Sequence, residues 1–95
     1  MIIEIATIQI APGGAAGIAA AFVQARPIIE GAKGCHGAAL RLCVEHPERV
    51  MLTVQWATLE DHMVGFRESE AFGRWRALMG PHFAAPPEVV HYKDF

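Results

Sequence analysis

Five histidines, His36, His46, His62, His82 and His91, are the side chains of this sequence best suited to proton chemistry near neutral pH. They form no HxH, HExxH or two-histidine-one-carboxylate pattern, so their spacing does not support a metal site. His62 is the first candidate for a base or an oxyanion donor. It stands in the first helical turns expected after Trp56, three and four residues before Gly65 and Phe66; the plainer reading is an exposed helix histidine. His82 follows the helix stop Gly80-Pro81, in a loop able to close over a cavity, or is an ordinary loop residue. His36, among glycines, and His46, before a turn proline, read as solvated. His91 is expected on a mixed sheet face with Arg41 and Gln55, where it suits an interface hydrogen bond. Arg74 and Arg76 flank Trp75; they can pair with Glu68, Glu70 or solvent, or hold an anionic substrate group, a role assigned to Arg76.

Other chemistries lack their residues. There is no GxGxxG, P-loop or GxSxG elbow, and Gly13-Gly14 followed by Gly17 does not replace a phosphate cradle. Cys35 and Cys43 lie eight residues apart, without a CxxC, and read as reduced thiols of a cytoplasmic protein. Eight basic against ten acidic residues give a net charge of −2 with no basic cluster, which argues against nucleic acid as a partner. No apolar run approaches membrane-spanning length, and no cleavable leader pattern opens the chain.

The candidate groups are positioned by the stretch Gln55 to Trp75, which holds both tryptophans and two of the five phenylalanines. Trp56 closes an apolar strand. Thr58, three residues before Asp61, makes a capping-box pattern that starts a helix at Leu59, and Ser69 caps a second helical segment with Glu70 in its first turn. On that second segment Phe72, Trp75 and Met79 recur at spacings of three and four. Such a stripe is first of all a packing face against a sheet, and part of it can also wall a pocket.

The remaining elements follow from periodicity and turn chemistry. Ile2 to Ile10, rich in β-branched residues, is a strand ended by Pro12-Gly13-Gly14. Ala15 to Glu30 is a helix with Ile18, Phe22, Ala25 and Ile29 on one stripe, and Pro27 is expected to kink or end it. Gly31 to Gly34 is a loop, Ala38 to Glu45 a strand, His46-Pro47-Glu48 a hairpin turn, Arg49 to Trp56 a strand, and Glu88 to Lys93 a last strand behind Pro86-Pro87. The order β-α-β-β-α-β is that of a ferredoxin-like α+β domain with a four-stranded antiparallel sheet, here one domain over residues 1–95. A hydrophobic content of 53% is high for 95 residues and calls for a second buried surface. The sheet face away from the helices, with Thr7, Gln9, Arg41, Cys43, Glu45, Thr53, Gln55 and His91, is mixed rather than charged. It is expected to be covered by a second subunit, closing a dimeric barrel.

The strand ending in Trp56, Thr58-Leu59-Glu60-Asp61-His62, the run Phe66 to Phe72, Trp75, and Pro86-Pro87 leading into Val90-His91-Tyr92 together resemble the antibiotic biosynthesis monooxygenase (ABM) domain family, over almost the whole chain. The resemblance implies a homodimer with facing sheets and, in each subunit, a cavity between helices and sheet. It implies oxygenases that use neither metal nor flavin on phenolic, anthrone or quinol substrates, beside members that degrade heme and members without known activity. The asparagine, tryptophan and heme-ligating histidine of the heme-degrading branch fall on Ala6, Phe66 and Arg76, and the chain has no asparagine, so heme is not the expected ligand.

In a cofactor-free oxygenase the substrate supplies the electrons, and the protein must stabilise its deprotonated form in a dry pocket. Within this resemblance Trp56, Phe66, Phe72 and Trp75 are the expected cavity walls and Arg76 an anion contact. His62, with His82 behind it, is the expected polar catalytic group. The competing expectation is a non-catalytic dimeric barrel that binds a small apolar ligand.

Overall fold

The computed structural model describes residues 1–95. The alternating β-branched residues near the N-terminus form β1 (Ile2–Gln9), and the alanine-rich stretch forms α1 (Ala15–Glu30). Next come β2 (Cys35–Leu42) and β3 (Arg49–Trp56), and then a π-helical segment (Asp61–Phe66) and α2 (Glu70–Met79). A 3-10 turn over Gly80–His82 and β4 (Glu88–Lys93) complete the fold. The four strands make one antiparallel sheet in the order β2-β3-β1-β4, with the helices on one face. The ferredoxin-like arrangement expected from the sequence is the one observed.

The core lies between that face and the helices. Ala6, Ile8, Leu52 and Val54 of the central strands meet Ile18, Phe22 and Ile29 of α1 and Trp75 and Met79 of α2, all of them buried. At about 25 cal/mol per Å² of apolar surface removed from water, each large side chain here contributes roughly 1.5–3 kcal/mol toward offsetting chain entropy.

Three local expectations are corrected. Pro27 does not end α1, which runs on to Glu30. Pro27 sits in the last turn, where its missing N–H costs one hydrogen bond, and its carbonyl still accepts from the Gly31 N–H at 3.0 Å. Strand β2 starts and ends three residues earlier than alternation suggested. A bulge between Cys35 and Gly37 shifts its register on β3, and Gly37 at φ +153° supplies the backbone that the bulge needs. The third correction concerns β4. His91 pairs with Glu4 across the sheet and faces the helices, while Val90 and Tyr92 take the outer face. A strand reading Val-Val-His-Tyr alternates equally well in either sense, and pairing with β1 decides which residues turn inward.

Candidate active site

The site begins with a charged residue on an apolar strand. In β1 the inward positions are Glu4, Ala6 and Ile8, so alternation drives a carboxyl into the core, where Glu4 is only 4% exposed. A buried carboxyl requires partners, and the neighbouring elements provide them. Trp56, at the end of β3, donates its indole N–H to Glu4 Oε1 at 2.9 Å. His62, on the π-helical segment, places Nε2 3.3 Å from the same oxygen. The His62 ring lies over the Trp56 indole, with centroids 5.1 Å apart and planes 18° from parallel. Its other nitrogen, Nδ1, is 2.7 Å from His91 Nε2 on β4. A continuous polar chain thus runs Trp56–Glu4–His62–His91 through four elements.

The helical segment after β3 is held at both ends. The Asp61 N–H bonds to Thr58 Oγ1 at 3.1 Å, as the capping pattern anticipated. At its far end the Arg67 N–H reaches back five residues to the His62 carbonyl at 3.0 Å, the bond of a π-helix. Ser69 then caps α2, its Oγ accepting from the Phe72 N–H at 3.3 Å.

Beside the polar chain is a partly open cavity of about 450 Å³ between sheet and helices. Glu4 and His62 line it at the sheet, Phe66, Phe72 and Trp75 wall it, and Arg67 and Arg76 line it as well. Phe66 meets Phe72 edge-on at 5.5 Å and Trp75 at 6.5 Å, so the wall is one interlocked aromatic group. The guanidinium groups of Arg67 and Arg76 stand 5.6 and 5.9 Å from the Phe72 ring centroid, and neither makes a salt bridge.

Burial governs proton affinity. It raises the Glu4 carboxyl above the usual carboxylate value, against the lowering effects of the Trp56 N–H and the Arg67 charge. It lowers His62 to about 4, helped by the nearby charges of His91 and Arg67. Burial and Arg67 also lower His91. Both partners in the buried Glu4–His62 pair are therefore pushed toward their neutral forms, and the ion pair is disfavoured.

Of the residues singled out in the sequence, His62, Phe66, Phe72, Trp75 and Arg76 come together around this cavity. Trp56 does not line it; fully buried, it lies behind His62 and acts through its N–H and its ring face. His82 is elsewhere, its ring against Gly17 of α1. Arg74 pairs loosely with Glu70 at 3.9 Å, away from the cavity. Sequence reasoning missed Glu4, His91 as its indirect partner, and Arg67. A visible signal for Glu4 was a single acid at an inward position of an otherwise apolar strand.

A family model described as antibiotic biosynthesis monooxygenase matches residues 1–78, which takes in the chain from its start almost to the end of α2. The uncharacterized protein YczJ of Bacillus subtilis (strain 168) is 39% identical over 94 residues, and the match covers 99% of each chain. A crystal structure from Bordetella bronchiseptica that bears the family's name has a TM-score of 0.95 and 47% identity, covering 99% of this chain and 96% of that one. A Nitrosomonas europaea structure of the same name has a TM-score of 0.80 at 17% identity, over 99% and 98% of the two chains, a likeness of fold alone. With a family match over most of its length and a near-full-length relative at 39% identity, this chain belongs to the antibiotic biosynthesis monooxygenase family.

Proposed function

We propose that residues 1–95 act as one ABM domain, a cytoplasmic homodimer that oxygenates a small aromatic, anthrone- or quinol-like molecule, with the substrate itself supplying the electrons. The observation that carries this reading is the pairing of a neutral-leaning carboxyl and imidazole, Glu4 and His62, on the wall of an aromatic cavity of about 450 Å³. Such a volume is in the range of small-molecule sites. The apolar walls exclude water from a carbanion or phenolate, the buried acid-base pair serves proton removal, and Arg67 and Arg76 favour the anion that forms. For an anthrone-like substrate, one methylene group and one molecule of dioxygen become one carbonyl group and one water, with all four electrons drawn from the substrate carbon.

A sealed cavity without a histidine would have favoured a plain binding module; a partly open one lined by His62 favours catalysis. Oxygen uptake over a panel of anthrones, quinols and polyphenols tests the proposal. The expected outcome is catalytic uptake that falls by about 100-fold or more in His62→Ala. A folded protein that consumes no oxygen with any member would make the cavity a binding site instead.

A further inference from the structure

Both ring nitrogens of His62 face protein partners, Nδ1 within hydrogen-bond distance of His91 Nε2 at 2.7 Å and Nε2 at 3.3 Å from Glu4 Oε1, a close contact outside hydrogen-bond geometry. Nδ1 is therefore not free to take a proton from a molecule in the cavity, and Nε2 is turned toward the Glu4 carboxyl. Glu4 is different. Its Oε1 receives Trp56 and faces His62, while Oε2 makes no hydrogen bond within the protein and is not sealed from the cavity that Glu4 lines.

Counting donors assigns the ring protons. An indole N–H can only donate, so Oε1 is an acceptor. With Nε2 facing that acceptor, the ring hydrogen is assigned to Nε2, which in the neutral ring leaves Nδ1 bare. A bare Nδ1 at 2.7 Å from His91 Nε2 requires that His91 donate from Nε2. This assignment gives both histidines one consistent pair of tautomers and leaves Oε2 for a proton on Glu4.

We infer that Glu4 Oε2 is the atom that exchanges protons with the substrate, and that His62 and His91 are positioning residues that keep Oε1 occupied and Oε2 free. The inference rests on the monooxygenase reading for its substrate and on geometry alone for the identity of the atom. In the anthrone-like case the ionised form of Glu4 takes a proton from the methylene carbon, and the carbanion adds dioxygen. Glu4 then returns the proton to the resulting peroxide. As the O–O bond breaks, Glu4 takes the second proton from that carbon and delivers it to the departing hydroxide, leaving ketone and water. The carboxyl ends as it began, and no outside reductant is required. Burial, which raises the affinity of Glu4 for a proton, brings it toward that of the acids it must deprotonate.

The test uses an anthrone as probe and the full chain. Glu4→Gln retains an oxygen acceptor for Trp56 and His62 but cannot exchange a proton. It is expected to bind the anthrone with a Kd within about threefold of wild type, by tryptophan quenching, and to lose about 100-fold or more of oxygen uptake. His91→Gln, which restores an N–H donor, is expected to recover most of the activity that His91→Phe loses, which a purely space-filling role would not produce. Nitrogen-15 NMR of the ligand-free protein is expected to show His62 protonated at Nε2 and bare at Nδ1. Wild-type-like turnover by Glu4→Gln, or a His62 protonated at Nδ1, overturns the inference. Wild-type protein that never consumes oxygen defeats the monooxygenase reading instead, and the NMR tautomer still decides the assignment.

Discussion

Glu4 and His62 respond to pH in opposite senses, and that opposition is open to measurement. An unfolded histidine binds protons near pH 6.5, whereas folded His62 resists them down to about 4. Between those values the unfolded state holds more protons, so His62 costs stability as pH falls from 6.5 to 4, by up to about 3 kcal/mol. Glu4 works the other way. Its folded affinity is raised, so its stabilising contribution is present below its unfolded value near 4.5 and is lost as pH rises through the folded one. In the wild type the two terms partly cancel. Glu4→Gln removes one of them, and its urea-derived stability is expected to drop between pH 6.5 and 4 more steeply than that of wild type; an equal or shallower drop would contradict the buried, neutral His62. His62 was legible in the sequence as a candidate because it follows Trp56 at the start of a helix. Its partners were not, because Glu4 and His91 are 58 and 29 residues from His62 and meet it only through sheet pairing.

At the scale of elements, the site depends on how β3 passes into the π-helical segment. The carbonyl of Gly34, a residue at φ +81°, accepts from the Ala57 N–H at 2.7 Å just after β3, and a Cβ added at Gly34 would collide with the Asp61 carboxylate in the first turn of the segment. Gly34→Ala is therefore expected to cost roughly 1–3 kcal/mol, from its left-handed backbone and from displacement of Asp61, and to weaken ligand binding by shifting His62. Gly73 is the contrasting case: exposed inside α2, with open space where a Cβ would stand. Gly73→Ala is expected to stabilise by roughly 0.5–1 kcal/mol with binding unchanged. Denaturant midpoints for both variants check the pair. Element order, the two caps at Thr58 and Ser69, and the limits of α1 and β3 were all readable from periodicity and capping residues. The bulge that moves β2, the inward turn of His91 and the π-helical bond from Arg67 to His62 were not. Each is settled by contacts between elements rather than by the residues of one element.

For the whole molecule, the correction to β4 changes what the outer sheet face offers. With His91 turned inward, Ile3, Ile5, Val90 and Tyr92 share that face, and Val90 and Tyr92 are 41% and 59% exposed in the single chain. It is more apolar than the set expected from the sequence, which strengthens the argument that a second copy covers it. β4 is an edge strand paired only to β1, yet it carries His91 on one face and Val90 and Tyr92 on the other. Packing against a partner sheet would hold this edge in place and with it the 2.7 Å contact that orients His62. Val90→Asp with Tyr92→Asp puts charges on that face without disturbing the core of a single chain. The wild type is expected to sediment as a dimer and the double variant as a particle of one 10.3 kDa chain. Because β4 links the two faces, the monomer is also expected to lose the Nε2–H signature of His62 by NMR and to lose oxygen uptake in parallel with dissociation. A wild type that sediments at 10.3 kDa would refute the dimer. A monomeric variant with full activity would show that the site needs only its own four strands to hold the chain from Trp56 to His91 in place.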